Sequence, residues 1–99
     1  MNKEEKEKLV KDAFEGYTKY DLEQDENYII VKDVFNENCT TINDDLEHEF
    51  DYDLRDELNN MLAEMFEKNG YDVYREGMTY AHDGKFYTAD DVDIVAIKD

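Results

Sequence analysis

Residues 43–70 read NDDLEHEFDYDLRDELNNMLAEMFEKNG, and the fold turns on how this stretch is divided. Its second half is the clearest helix in the chain. Leu54, Leu58, Met61, Leu62 and Met65 recur at the i, i+3, i+4, i+7 spacing that gathers side chains on one face. Asn69-Gly70 supplies the stop, because glycine enters the left-handed conformation that closes a helix. The first half carries Asp44, Asp45, Glu47, Glu49, Asp51, Asp53, Asp56 and Glu57 against a single cation, Arg55. Two periodicities compete there. Read as a helix from Asn43, the segment places Leu46, Phe50, Leu54, Leu58 and Leu62 four apart. Read as a strand, Leu46, His48, Phe50 and Tyr52 alternate with Glu47, Glu49, Asp51 and Asp53. Asn43 as a cap and acids in a first turn favour the helix.

The flanks give the fold class. Residues 2–20 predict a first helix, capped by Asn2, with Leu9, Val10, Ala13, Phe14, Tyr17 and Tyr20 at helical spacing. Glu4/Lys8 and Glu7/Lys11 stand four apart along it as favourable pairs. Residues 21–27 form a polar acidic turn, and residues 28–35 (YIIVKDVF) a β-branched and aromatic strand. Another turn at 36–38 leads into a short strand at 39–42. Beyond Gly70, residues 71–76 predict a strand and Gly77 a turn. Residues 78–82 and 85–88 flank Asp83-Gly84, a strong signal for a two-residue hairpin turn. A loop at 88–91 precedes residues 92–98 (VDIVAIK), apolar enough for the centre of a sheet. The order α-β-(β)-α-β-β-β-β is α+β: two helices on a mostly antiparallel sheet of about four to five strands, in one domain spanning residues 1–99.

Composition separates this chain from a disordered acidic tail. Thirteen per cent of residues are aromatic, with eight Tyr and five Phe, enough to build a core. The formal charge of -17 is far beyond the ~2 to 8 units usual for a small domain. Such a field excludes direct binding to nucleic acid or an anionic membrane, and selects basic partners. A lone Cys39 cannot form an intrachain disulfide, no run approaches ~18 apolar residues, and the first residues lack the apolar core of a signal peptide. A cytoplasmic location is expected.

The motifs of catalysis are sparse. There is no serine, no EF-hand loop and no phosphate-cradling glycine cluster, and Cys39, His48 and His82 lack zinc-site spacing. No catalytic residue, metal or cofactor is assigned, and a non-enzymatic role is expected.

The acids of residues 44–57 carry the functional expectation. On a continuous helix they would give about one charge per 2.6 Å of axis, from a rise of about 1.5 Å per residue. Duplex DNA carries about one per 1.7 Å. Like charges would stand four apart at 45/49, 47/51, 49/53 and 53/57, where an ordinary solvated helix interleaves lysine. Further acids sit at Asp21, Glu23, Asp25, Glu26, Asp90, Asp91 and Asp93. Small size and dense acidity across the chain resemble the DNA-mimic inhibitors of phages and mobile elements, of the anti-restriction and anti-CRISPR type. That resemblance implies a basic DNA- or RNA-binding partner, such as a defence nuclease. Asp44, Asp45, Glu47, Glu49, Asp51, Asp53, Asp56 and Glu57 would meet its Arg and Lys, with Phe50, Tyr52, Tyr80 and Tyr87 as apolar anchors.

A second resemblance covers residues 54–99. A helix, then YDVYREG, then a hairpin leading to DGKFYTADDVDIVA is similar to the first half of the PD-(D/E)xK nuclease core. It implies a metal ligand at Asp91 or Asp93, assisted by Glu57 or Glu64. The family's acid-x-Lys pair is not matched, since Ala96 stands two residues before Lys98, and Asp83-Gly84-Lys85 falls in a turn. An acidic accessory subunit without mimicry is the third expectation.

Overall fold

A computed structural model describes residues 1–19 and 27–98. Helix α1 spans Lys3–Lys19, and Asn2 caps it as expected, its Oδ1 accepting the Glu5 amide at 2.8 Å. Tyr20 and residues 21–26 of the acidic turn expected at 21–27 lie outside the described residues. The surface pairs along α1 differ from the expected ones. Lys3–Glu7, Lys8–Asp12 and Lys11–Glu15 approach at 3.8, 2.9 and 3.9 Å.

Strand β1 (Tyr28–Val31) is shorter than its apolar run, because Asp33 takes a left-handed conformation at φ 52 and breaks the extension. Phe35 still reaches the core, at 2% exposure. A 3-10 turn over Asn36–Cys39 then leads to β2 (Thr40–Ile42).

The helix expected from Asn43 does not form there. Residues 43–47 make a turn and His48–Phe50 form β3, antiparallel to β2 with Thr40 opposite Phe50 and Ile42 opposite His48. Helix α2 begins only at Tyr52 and runs to Lys68. Two local choices override the helical stripe. Leu46 sits at φ 60, and the Asn43 side chain bonds the backbone of Asp45 and Glu47 instead of capping a helix. The cap is Asp51, whose Oδ1 accepts the Leu54 amide at 2.9 Å. At the other end the stop is as read. The Gly70 amide bonds the Glu67 carbonyl and the Tyr71 amide bonds the Phe66 carbonyl, with Gly70 at φ 89. This Schellman closure is completed by the edge-on contact of the Phe66 and Tyr71 rings, 5.3 Å between centroids.

Strands β4 (Asp72–Arg75), β5 (Thr79–His82), β6 (Lys85–Thr88) and β7 (Ile94–Ile97) follow. Asp83 and Gly84 both have positive φ, 50 and 77, so the hairpin turn is of the expected type I′ geometry. The strands do not merge into one sheet of four or five. They divide into a three-stranded antiparallel sheet, β1-β7-β4, and two hairpins, β2-β3 and β5-β6. The class remains α+β.

Strand β7 is central, and all four of its residues are buried. Its alternation splits the interior in two. Ile94 and Ala96 face the main core with Val10, Leu58, Leu62 and Phe66 from the helices. Val95 and Ile97 face the opposite side and pack with Tyr80 and Ala89. The molecule is therefore layered: helices, then sheet, then the β5-β6 hairpin.

Candidate partner-binding site

The acidic segment is built on a hairpin and a helix start. Asn43 organises the tip, its Oδ1 accepting the amides of Asp45 and Glu47, each at 3.0 Å. Its Nδ2 donates to Glu49 Oε1 at 3.1 Å, and the Asn43 amide bonds the Glu47 carbonyl at 2.9 Å. Asp44, Asp45 and Glu47 stand in the turn, all exposed, with Glu49 on β3 facing solvent beside Thr41. The hairpin base is fixed where the Asp51 amide bonds the Cys39 carbonyl at 2.7 Å.

The expected site residues separate into used and unused. Asp51 is consumed as the α2 cap. Glu57 takes Lys6 Nζ on both oxygens, at 3.0 and 2.9 Å, tying α2 to α1. Asp56 lies 3.5 Å from the Arg55 guanidinium. Asp44, Asp45, Glu47 and Asp53 make no carboxylate hydrogen bond or ion pair among the described residues. The uniform helical charge ladder is replaced by this uneven arrangement. Of the four repeated pairs, 53/57 alone lies within α2.

Arg55, the one cation of the segment, is turned inward. Its guanidinium carbon lies 5.3 Å from the Phe50 ring centroid and 5.2 Å from that of Tyr52, and the two rings lean together at 4.8 Å. Phe50 is half-buried and Tyr52 is exposed. Both roles fit an apolar anchor at the foot of the hairpin.

The structure corrects two other anchors and supplies two that were missed. Tyr80 is buried, at 6% exposure, and Tyr87 lies on the other hairpin. Neither is part of the acidic face. Leu46, expected in the helix stripe, projects from the hairpin tip at 81% exposure, and Ile42 is exposed on β2. The alternation of residues 46–53 was the signal for this hairpin.

The other acids are dispersed. Asp93 Oδ2 accepts the Asp33 amide at 3.0 Å, tying the entry of β7 to the exit of β1. Glu64 lies along the groove between α1 and α2. Glu57, Glu64, Asp91 and Asp93 thus belong to different parts of the molecule. Among the described residues no group of three or more His, Cys, Asp and Glu side chains is placed to hold a metal ion. Cys39 is fully buried, and burial, with the nearby Asp51 carboxylate, pushes its thiol up against the lowering influence of Arg55. It stays protonated and a poor nucleophile. His82 stacks flat on Tyr28, 4.1 Å between centroids. Among the described residues no helix is long and apolar enough to cross a membrane.

Comparison with protein-family models, curated proteins and solved structures returns no match to this chain.

Proposed function

We propose that this chain is a non-enzymatic inhibitor that binds a basic DNA- or RNA-handling protein, its acidic hairpin standing in for nucleic-acid phosphates. One observation carries the reading: Asp44, Asp45 and Glu47 stand exposed and unpartnered in the hairpin turn with exposed Leu46, and unpartnered Asp53 follows exposed Tyr52 at the start of α2. Carboxylates steer a basic partner and satisfy its Arg and Lys. Exposed apolar side chains among them give the desolvated centre from which most binding energy comes. A surface kept acidic for solubility needs no such anchors.

The inhibitor would act by competition, occupying the groove where a defence nuclease or similar protein holds its nucleic acid. A reducing cytoplasm suits its single buried thiol.

The test is capture from a lysate rich in nucleic-acid-processing proteins, eluted by rising salt and then by excess duplex DNA. A nucleic-acid-binding protein released by both is the expected result. Changing Asp44 and Asp45 to Asn, and Glu47 and Glu49 to Gln, abolishes its capture. Partners that survive high salt, ignore duplex and still bind the neutralised variant overturn the reading.

A further inference from the structure

Strand β6 (Lys85–Thr88) is exposed along its whole length and is paired on one side only, with β5. An open edge is a template for another strand, and proteins usually shield such edges with charge or cover. The other edges are guarded. Strands β1 and β4 flank the three-stranded sheet and are buried or half-buried except at Asp72. Strands β2 and β3 adjoin the acids of their own turn. On β6 the single charge is Lys85, at the turn end.

Register fixes which backbone groups of β6 are free. Tyr80 stands opposite Tyr87, and His82 stands opposite Lys85 across the two-residue turn. The Ala89 amide bonds the Met78 carbonyl at 2.8 Å. Residues 85, 87 and 89 therefore direct their backbone groups to β5, and Phe86 and Thr88 direct theirs away from it. Among the described residues the amides and carbonyls of Phe86 and Thr88 have no partner. Side chains alternate as well. Tyr87 stacks on buried Tyr80, so Phe86 points to the opposite face, where it is 81% exposed.

Charge decides what can approach. Two copies of a chain at -17 repel over most of their surface. Between Gly77 and Ala89 the charged residues are Asp83 and Lys85, one of each sign, beside His82. Here the local charge cancels. The two outward residues are also two apart, so turning the strand about Tyr87 superposes the set on itself. We propose that β6 pairs with β6 of a second copy, antiparallel about a two-fold axis at Tyr87, joining two β5-β6 hairpins into one four-stranded sheet. Phe86 then faces the copy's Thr88 in a hydrogen-bonded pair, and Thr88 faces the copy's Phe86. The two Phe86 side chains become diagonal neighbours on one face, about 7–8 Å apart and within reach of each other. The two Lys85 fall at opposite ends, about 14 Å apart at about 3.4 Å per residue. Strands this short bury less than the ~1,200–2,000 Å² of a stable interface, so the dimer is concentration-dependent.

Sedimentation velocity from micromolar to millimolar protein, at low and high salt, tests this. The mass should rise from one chain to two with concentration. The midpoint should fall roughly tenfold between about 0.1 M and about 1 M salt, as the screening length shrinks from about 10 to about 3 Å. Salt acts in the opposite sense on capture of a basic partner, so the two readings fail separately. In the dimer, hydrogen exchange should slow at the Phe86 and Thr88 amides and not at Thr79 and Ala81, the outward residues of β5. Phe86→Glu, at an exposed position, should keep the melting temperature of the monomer and abolish the dimer. A chain that stays single at millimolar concentration and high salt, growth past two chains, a dimer that survives Phe86→Glu, or protection at Thr79 and Ala81 instead would overturn the proposal.

Discussion

The two hairpins of this molecule are close in size and opposite in design. The β5-β6 hairpin is a structural layer. Tyr80 is buried beneath it, bonding the Tyr28 hydroxyl at 2.7 Å and lying 5.5 Å from the Tyr74 ring and 5.6 Å from that of Tyr87. Its ten residues carry one acid, Asp83, beside Lys85 and His82. The β2-β3 hairpin has three-residue strands that are exposed except at half-buried Phe50. Its turn and second strand hold four acids and no Lys or Arg. Packed against a sheet, that charge would oppose folding through repulsion and desolvation; projecting into water, it costs little. The contrast argues that stability rests on the packed hairpin, which leaves the acidic one free for the proposed partner.

The largest effect should come from the packed one. Tyr80→Ala removes the centre of the ring cluster and leaves the Tyr28 hydroxyl without its bond. By analogy with other buried aromatics, it is expected to lower stability by about 3–5 kcal/mol in urea unfolding. Phe50→Ala, at a half-buried position, should cost about 1–2 kcal/mol. Equal losses would break the comparison.

The same cluster gives a pH test. Burial first, then the hydrogen bond to Tyr80 and the charges of Tyr80 and Tyr87, raise the Tyr28 phenol above its ordinary value. The folded state therefore holds this proton where the unfolded chain has released it. The associated stability is complete below about pH 10 and falls as pH rises beyond it. Urea midpoints should decline above pH 10. In Tyr28→Phe they should start lower, since Tyr80 loses its partner, and decline less steeply.

The difference between the hairpins also explains what the sequence revealed. Asp83-Gly84 is a local code: two residues suited to positive φ define the turn and with it the register. Likewise VDIVAIK could sit nowhere but the sheet centre, and Asn69-Gly70 announced the end of α2. The β2-β3 hairpin has no such code. Its alternation coincided with a helical stripe through Leu46, Phe50 and Leu54, and the choice was made by the φ of Leu46 and the side chain of Asn43. The acids were visible as charge, but their division was not. Asp51 became a cap because the helix starts at Tyr52, and Glu57 was claimed by Lys6 from a helix about fifty residues away in sequence. The cavity lined by Arg55, Asn59, Arg75 and Asp93 needed the ends of β4 and β7 brought against α2. Only tertiary structure supplies that.

The smallest predicted effect probes how little the acidic hairpin contributes to folding. Asn43→Ala deletes the acceptor of the Asp45 and Glu47 amides and the donor to Glu49. All three bonds are exposed, so water replaces them and the cost is about 1 kcal/mol. Hydrogen exchange should quicken at Asp45 and Glu47 and stay unchanged across Thr79–His82 and Lys85–Thr88. Asn43→Asp separates geometry from charge. It keeps the acceptor for both amides but sets a carboxylate against Glu49, so its tip should loosen less than that of the alanine variant at high salt and approach it at low salt. A global loss on the scale of Tyr80→Ala in either variant would show that the hairpin is part of the folding core, and its acids could then no longer be read as free for a partner.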